Sequence, residues 1–330
     1  MRERGAIGDP SVLFLHGNLS SSIFWEATLA AFARDFHCIA PDLRGFGATE
    51  ALPIRARTGM DDMAGDVLAL SEALGLERFH VVGHSMGGGV AMKMLLMRPG
   101  ALASVSLVNP ISPYGYGGTR DEWGTPCFPD GAPAGAGTVD DELVARLGAG
   151  DRSAESPLSP RNLMTEFYFK PPFVPPEIER LLDGMLTTRT GIDWYPGNTV
   201  ASNNWPGTAP GDRGLVNAMS GHYFDASAIV DLETKPPVLW VRGADDAIVS
   251  DRAALDVSDQ GERGNIAGWP GASACPPQPM VSQTRAVLGA YRGRGGSVAK
   301  RVMPECGHTP FVEKPGDFNR LLLEFLRANR

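Results

Sequence analysis

A serine in a glycine-rich turn is the residue of this sequence best placed to act as a nucleophile. Ser85 lies in the segment 83–88 (GHSMGG), after an apolar run at 79–82 and before a helix-forming run at 90–97. A strand, a sharp turn and a helix, with glycine two places to either side of the serine, form the context of a nucleophile elbow. The glycines allow close approach of the two backbones while Ser85 takes a positive φ. The hydroxyl would then lie at a helix start, where free N–H groups favour a developing negative charge.

A serine hydroxyl needs a base that removes its proton and a carboxylate that orients that base. For an elbow of this kind the chain order is Ser, then acid, then His. We choose His308 (CGHTP), because the other five histidines lie in turn motifs, at strand starts or in the aromatic-rich middle of the chain. The acid falls in the segment 243–249 (GADDAIV), where Asp245 and Asp246 are adjacent. We favour Asp246, because the apolar residues at 248 and 249 can anchor the loop and direct its side chain inward.

An oxyanion formed by attack on a carbonyl group needs two preorganised hydrogen-bond donors. An elbow supplies one from the residue after the nucleophile, which here is the amide of Met86. The second would come from the loop after the first predicted strand, and we nominate the amide of Asn18, with Leu19 as the alternative. Gly17 lets that loop pass close to the elbow. This chemistry requires no metal and no organic cofactor.

Strands and helices alternate in the parts of the chain that must position these groups. The sequence predicts strands at 11–15, 36–40, 79–82, 103–108, 237–243 and 298–303, and helices near 24–34, 60–74, 90–97, 281–291 and 317–327. Such alternation predicts an α/β fold with a mostly parallel, doubly wound sheet. The ligand crevice of such a sheet lies beyond the carboxyl ends of its strands.

The alternation is interrupted after the strand that ends near Val108. Residues 110–235 are rich in glycine and proline, carry most of the aromatic residues and contain only short helical patterns. We interpret them as a cap inserted between two core segments, 1–109 and 236–330, because they hold too much apolar surface for a solvated linker. A second excursion, 256–279, could cover the mouth of the site or form a subunit interface, so a homo-oligomer is left open.

Aromatic residues of the cap are candidates for the wall of a pocket over Ser85. Pockets lined by apolar and aromatic side chains suit a bulky, uncharged ester. We expect most of these residues to form the cap's own core, so only Trp194 and Tyr195 are taken as wall candidates. Ile111 and Ile248 are added because they follow strands that end at the crevice.

Composition and charge exclude several classes of partner. The chain has 30 basic and 38 acidic residues, a net charge of -8, and no clustered Lys/Arg stretch, which argues against nucleic acid and anionic membranes. Its four cysteines are far apart and lack metal-ligand spacing, as expected of a reduced cytoplasmic protein. No apolar run approaches the roughly 20 residues that span a bilayer, and the N-terminus leads into no signal-peptide core. We therefore expect a cytoplasmic protein that acts on a small molecule.

Five of these segments together resemble the α/β-hydrolase superfamily, over nearly the whole chain outside the cap. The resemblance rests on segments 16–17 (HG), 42–47 (DLRGFG), 83–88, 243–249 and 307–308. It implies the α/β-hydrolase fold and serine hydrolase chemistry. Some members place the acid one strand earlier, but that position reads Asn109 here and has no carboxylate. Members usually begin with a β-hairpin before the strand at Val12, so the N-terminal edge strand is expected to be missing or shortened.

Within the superfamily the chain is similar to bacterial esterases and lactonases. The cap segments 113–118 and 202–206 resemble those of actinobacterial enzymes similar to zearalenone lactonase, which implies hydrolysis of a bulky apolar ester, above all a lactone. One alternative is a carbon–carbon bond hydrolase of ring-cleavage products, whose carboxylate substrates would require Arg120, Arg161 or Arg189 in the pocket. Another is a catalytically silent ligand receptor. Dehalogenase and epoxide hydrolase chemistry is not expected, because it needs a carboxylate at position 85.

Overall fold

Nine strands and eleven helices make up the protein in a computed structural model that describes residues 1–330. The strands are β1 Arg2–Arg4, β2 Ser11–Leu15, β3 His37–Ala40, β4 Phe79–His84, β5 Leu102–Val108, β6 Thr199–Ala201, β7 Thr208–Pro210, β8 Val238–Gly243 and β9 Val298–Met303. The helices are α1 Glu26–Phe32, α2 Gly59–Ala73, α3 Met86–Met97, α4 Asp141–Gly148, α5 Pro160–Phe167, α6 Ile178–Met185, α7 Leu215–Met219, α8 Val257–Glu262, α9 Met280–Gly293, α10 Pro310–Glu313 and α11 Pro315–Ala328.

Seven strands form the central sheet, in the order β1-β3-β2-β4-β5-β8-β9. All neighbouring strands are parallel except β1, which runs antiparallel to β3 at the edge. Strands buried on both faces read as continuous apolar runs, and β2 is such a strand, since Val12 to Leu15 are fully buried. The predicted mostly parallel sheet is confirmed. The edge strand is present but only three residues long, so it is shortened rather than missing.

A large apolar core fills the space between the sheet and its helices. It also joins the N-terminal and C-terminal parts of the chain, because Trp25 stacks on Phe311 with ring centroids 4.0 Å apart.

None of the helices combines the length and apolar character that crossing a membrane would need. The cytoplasmic location and the oligomeric state stay predictions.

Residues 110–237 leave the sheet after β5 and return to it at β8. They contain four short helices, α4 to α7, and a two-stranded antiparallel ribbon of β6 and β7. The stretch between α6 and β6 docks on the loop after β3 through main-chain bonds, such as Arg189 N–H to Gly45 O (2.9 Å) and Ile54 N–H to Asp193 O (2.8 Å). That this segment forms a cap domain stays a prediction.

The excursion 256–279 is packed against the first part of that segment. Gln278 donates to the carbonyl oxygen of Gly115 (3.1 Å), and Arg120 donates to that of Ser273 (2.6 Å). Gln283, at the start of α9, donates to Thr119 Oγ1 (2.9 Å). The excursion and α9 together therefore anchor residues 112–121 to the core.

Candidate active site

Ser85 occupies a strained bend between β4 and α3. Its φ of 54° and ψ of −118° lie outside the regions that L residues normally adopt. The neighbouring glycines make the bend possible, since a Cβ on Gly87 would lie 2.5 Å from Leu15 O and one on Gly83 would collide with the carbonyl group of Gly87. A Cβ on Gly88 would lie 2.6 Å from Pro110 Cβ. The geometry of a nucleophile elbow predicted from the sequence is therefore present.

Asp246 and His308 form a buried hydrogen-bonded pair. His308 Nδ1 lies 3.0 and 2.9 Å from the two carboxylate oxygens of Asp246. A carboxylate only accepts, so Nδ1 carries a proton and donates; in the neutral form of such a ring Nε2 is the acceptor nitrogen. Asp246 Oδ1 also accepts from the amides of Ile248 (2.8 Å) and Val249 (3.0 Å). These amides hold the carboxylate in the orientation that the imidazole requires.

The adjacent carboxylate, Asp245, points elsewhere. Its side chain is 42% exposed and forms an ion pair with Lys170 Nζ at 3.3 Å. Asp246, by contrast, is 4% exposed. The geometry thus pairs His308 with the carboxylate favoured from the sequence.

Ser85 lies beside this pair but makes no hydrogen bond with His308. The His308 ring lies 4.6 Å, between centroids, from the ring of His84, the residue before the serine. The carbonyl oxygen of His308 accepts a hydrogen bond from His84 Nε2 (2.9 Å). Nucleophile–base bonds are often long without substrate and tighten only in the reacting complex. The contacts of His84 with His308 thus hold the residue before the serine against the base loop.

The loop that carries His308, residues 304–309 and here named the base loop, is held by the neighbouring strands. Asn109, which follows β5, donates from Nδ2 to the carbonyl oxygens of Gly307 (3.2 Å) and His308 (2.6 Å). Its Oδ1 accepts from Gly243 N–H (2.9 Å) at the end of β8. Asn109 itself takes a positive φ of 40°. This side chain therefore fixes the base loop relative to the strand that precedes Asp246.

Residues 16–20, here named the oxyanion loop, pass directly over the elbow. A Cβ on Gly17 would lie 3.1 Å from Ser85 Cβ, so a side chain at this position would be tightly packed against the serine. The amides of Asn18 and Met86 have no acceptor in the protein, whereas the amide of Leu19 donates to Asn18 Oδ1 (2.9 Å). Asn18 and Met86 are thus the available donors, and the alternative, Leu19, is engaged.

His16 orients the peptide group that contains the Asn18 amide. The carbonyl oxygen of Gly17 accepts from His16 Nδ1 (2.8 Å) and from Ser20 Oγ (2.9 Å). The N–H of a trans peptide points opposite to its C=O, so these two bonds direct the Asn18 N–H away from His16. His16 Nε2 accepts from Leu43 N–H (2.9 Å), and burial lowers the pKa of His16 to about 4. The ring therefore stays neutral and keeps both bonds at neutral pH.

The site is nearly closed to solvent. Ser85, Asp246 and His308 are 7%, 4% and 2% exposed. Three surface cavities of 280–590 Å³ lie elsewhere, and none is lined by these residues. The three side chains are thus largely shielded from water.

The predicted wall residues have different surroundings. Trp194 packs beside Gly45 and Arg189 and donates to Leu52 O (3.2 Å), so its contacts are with the loop after β3. Tyr195 is 4% exposed, and its hydroxyl has no partner in the protein.

The two isoleucines lie nearer to the elbow. Ile111 donates its amide to Ser85 O (3.1 Å), and its side chain packs against Gly89 of α3. Ile248 is half-buried and accepts from the Tyr116 hydroxyl (3.1 Å). The role of all four residues as pocket walls stays a prediction.

The three arginines that could have recognised a carboxylate substrate have other partners. Arg120 donates to main-chain oxygens of the excursion, Arg161 pairs with Glu179 (2.6 Å), and the exposed Arg189 stacks on Trp194. None of these contacts is with the elbow, the oxyanion loop or the base loop.

Sequence reasoning missed three residues that hold the site together. From the sequence, Asn109 stands out only as lacking a carboxylate, His84 as a packing residue, and Tyr168 as cap core. The main-chain bonds of their side chains join segments far apart in sequence, with separations of 199, 224 and 150 residues. No local pattern could have indicated them, although an Asn directly after a strand is a residue type that tolerates positive φ.

Comparison with known proteins gives partial sequence matches and full-length structural matches. Residues 10–129 match the family model of the alpha/beta hydrolase fold. The acetyltransferase component of the acetoin cleaving system of Cupriavidus necator is 39% identical over 104 residues, 32% of this chain and 27% of that protein. A fluoroacetate dehalogenase of a Burkholderia species is 32% identical over 108 residues, 32% of this chain and 36% of that one. The chain thus aligns with only about a third of these relatives' length.

Solved structures match over nearly the whole chain. A Rhodococcus esterase has a TM-score of 0.58 at 22% identity, covering 100% of this chain and 94% of that one. An N-acyl homoserine lactone degrading enzyme has a TM-score of 0.56 at 18% identity, covering 98% and 95%. The 2-hydroxy-6-oxo-6-phenylhexa-2,4-dienoate hydrolase of a Rhodococcus strain has 0.58 at 18%, covering 98% and 92%.

The sheet order, the elbow and these matches define the class of the protein. The chain has the α/β-hydrolase fold, and residues 10–129 are the part that matches the family model.

Proposed function

We propose that this protein is a serine hydrolase that cleaves a bulky, apolar carboxylic ester through an acyl-enzyme. The observation that carries the proposal is the elbow serine beside a histidine whose Nδ1 is bonded to a buried carboxylate. In the proposed reaction His308 Nε2 removes the proton of Ser85, whose Oγ attacks the ester carbonyl. The amides of Asn18 and Met86 bind the oxyanion, and His308 then protonates the leaving alkoxide. Water resolves the acyl-enzyme by the reverse sequence.

A lactone is the substrate class that we favour within the esters. In a lactone the leaving alcohol remains attached to the acyl group, so the product is a single hydroxy acid. The aromatic residues of segment 110–235 and the absence of arginine contacts around the serine favour an uncharged substrate. One of the structural relatives degrades N-acyl homoserine lactones, and the zearalenone-lactonase-like cap segments point to a larger ring.

Carbon–carbon bond hydrolysis is the second candidate, because a structural relative hydrolyses a 2-hydroxy-6-oxo-dienoate. Its substrate carries a carboxylate, which a buried site must pair with a cation. Arg120, Arg161 and Arg189 are engaged elsewhere, and this disfavours the second candidate. A catalytically silent ligand receptor is disfavoured as well, because such a protein would not need an intact elbow and Asp246–His308 pair.

The test is covalent labelling together with turnover. The wild-type protein should react with a fluorophosphonate at Ser85 and hydrolyse a chromogenic aryl ester, and Ser85→Ala should lose both, with kcat lower by several orders of magnitude. Ser106→Ala is a matched control, since Ser106 is another buried serine, in the adjacent strand β5, whose hydroxyl has no partner. Full turnover by Ser85→Ala would remove the proposal, and an unreactive wild type would favour the receptor.

The substrate class needs a separate assay. A large aromatic lactone should give one product whose mass is larger by one water. A 2-hydroxy-6-oxo-dienoate, the kind of substrate expected for the second candidate, should be turned over poorly. The opposite preference would favour the carbon–carbon bond hydrolase.

A further inference from the structure

Tyr168, at the end of α5, contacts both loops that carry the proposed reacting groups. Its hydroxyl donates to the carbonyl oxygens of Asn18 (3.0 Å) and Leu19 (3.2 Å) in the oxyanion loop. Its own carbonyl oxygen accepts from the amide (3.0 Å) and Oγ1 (2.9 Å) of Thr309 in the base loop. Its ring meets the His308 ring edge-on, with centroids 6.1 Å apart. One residue of the segment 110–237 thus joins two loops that must keep a fixed separation.

The oxyanion loop contains strain that needs support from outside. Leu19 has a φ of 47°, a left-handed conformation that is unfavourable for an L residue. Such conformations persist only where the surroundings determine them. No other protein donor reaches the carbonyl oxygens of Asn18 or Leu19. The Tyr168 hydroxyl is therefore the donor that fixes the two peptide groups after the Asn18 N–H.

We infer that Tyr168 is a positioning residue whose hydroxyl holds the oxyanion loop in the conformation that directs the Asn18 N–H at the oxyanion. The inference rests on the proposed function. Removal of the hydroxyl leaves the Asn18 amide in the chain but releases the support of Leu19, so the loop relaxes. The rate of the chemical step then falls, while binding of the ground-state ester is unchanged.

The state of the hydroxyl agrees with this role. Tyr168 is 5% exposed, and burial raises the pKa of its phenol well above the usual value. The group therefore remains a protonated donor throughout the working range of a serine hydrolase. Its effect on rate should be independent of pH, unlike that of a residue acting through His308.

The experiment compares Tyr168→Phe with a matched control, Tyr291→Phe. Tyr291 is also buried, and its hydroxyl donates to a main-chain carbonyl oxygen, that of Pro236 (2.7 Å), away from the site. Both variants keep the aromatic ring and lose one buried hydroxyl, so they should lose similar amounts of thermal stability. The substrate is a chromogenic aryl ester, and the full chain is used.

Tyr168→Phe should lower kcat by about tenfold, less than the 10²–10³ that follow loss of an oxyanion donor itself. Its KM and the pH profile of kcat/KM should not change, and fluorophosphonate labelling should slow in parallel with kcat. Tyr291→Phe should keep wild-type kcat. Equal kcat values for the two variants at comparable melting temperatures would overturn the inference, as would a loss confined to KM.

A second variant tests the same loop without touching Tyr168. Asn18→Ala keeps the main-chain donor but removes Oδ1, which accepts from Leu19 N–H (2.9 Å), so it should also lower kcat at constant KM. An unchanged kcat would contradict the role assigned to loop strain. If the wild type is labelled at Ser85 while both variants keep full kcat, only this inference fails. If Ser85 is not labelled at all, the proposed function fails.

Discussion

The elbow and the segment 110–237 are built by contacts of very different sequence range. At the elbow the Ser85 bend depends on glycines within three positions of it, since side chains there would collide with backbone. The segment 110–237 is held to the rest of the chain by side-chain bonds that span 150 or more residues, such as Tyr168 with Asn18 and Gln283 with Thr119. Local steric rules can be read from a sequence, whereas long-range partners cannot. The two regions should therefore respond differently to substitution.

The largest effect should follow a methyl group added at the elbow. A Cβ at Gly87 would lie 2.5 and 2.6 Å from the carbonyl oxygens of Leu15 and His16, so either β2 or the bend must move. We expect Gly87→Ala to lose fluorophosphonate labelling and ester turnover, and to be strongly destabilised. Circular dichroism and labelling measure both effects.

The control is a glycine where the chain has room. Gly65 lies in the helix α2, and no atom lies within 4 Å of the position that an added methyl group would take, so Gly65→Ala should stabilise the protein by about 0.5–1 kcal/mol. Wild-type labelling and melting temperature for Gly87→Ala would contradict the steric account of the bend.

The next largest effect should distinguish the two adjacent aspartates. In Asp246→Asn one carboxylate oxygen becomes an NH₂ group, which must face either His308 Nδ1–H or the amides of Ile248 and Val249. Donor would face donor, so His308 loses its tautomer and kcat should fall on the order of 10³–10⁴-fold. Steady-state kinetics on an aryl ester measure this.

Asp245→Asn is the matched control for that loss. It removes only a surface ion pair with Lys170, worth about 0–1 kcal/mol, so kcat should stay within about threefold. A larger loss for Asp245→Asn than for Asp246→Asn would reverse the assignment of the acid.

The elbow and the Asp246–His308 pair could be proposed from the sequence for one reason. Each feature is set by its own neighbours: glycines around Ser85, two amides after Asp246, and Gly17 within the oxyanion loop. The parallel sheet was predicted for the same reason, since strands buried on both faces are continuous apolar runs.

The parts that were not predicted lack such local signals. The ribbon strand β6 is exposed at all three positions, so it has no alternation of apolar and polar residues. The helix α5 buries only three of its eight residues. Trp194 is an aromatic residue of the kind expected in a pocket, yet its partners are Gly45, Leu52 and Arg189, which only the fold brings to it.

A smaller effect, on stability rather than chemistry, is expected where the excursion anchors residues 112–121. Gln283 is fully buried, accepts from Ser112 Oγ (2.5 Å) and donates to Thr119 Oγ1 and to Asp121 O (2.7 Å). Gln283→Leu leaves several buried polar groups without partners and should lower the free energy of unfolding by about 3–5 kcal/mol. Urea denaturation measures it.

The control lies on the exposed face of the same helix. Arg292→Leu should change the free energy of unfolding by about 0.5 kcal/mol or less. A Gln283→Leu protein as stable as this control would show that the network does not anchor the segment.

The smallest effect is a pH dependence at the same anchor. Asp256 accepts from the amides of Ser258 (3.1 Å) and Gln278 (2.7 Å). Burial raises the pKa of its carboxyl group from 3.8 to about 6. The negative charge of Asp259 adds to this rise, whereas the two amide bonds and the positive charge of Arg252 oppose it. Between these two values the folded protein binds more protons at this residue than the unfolded chain does. Its contribution to stability therefore falls as pH rises, by up to about 3 kcal/mol between about pH 4 and about pH 7.

Asp256→Asn cannot ionise and should lack this decline, although it keeps an oxygen that accepts from one amide. The difference in unfolding free energy between the variant and the wild type should shift in favour of the variant as pH rises, because only the wild type must bury a charge. Asp317→Asn, on the exposed surface of α11, is the control and should leave the pH dependence unchanged. Parallel curves of unfolding free energy against pH for wild type and Asp256→Asn would contradict this, because they would mean that the folded protein buries the ionised Asp256 carboxylate without cost.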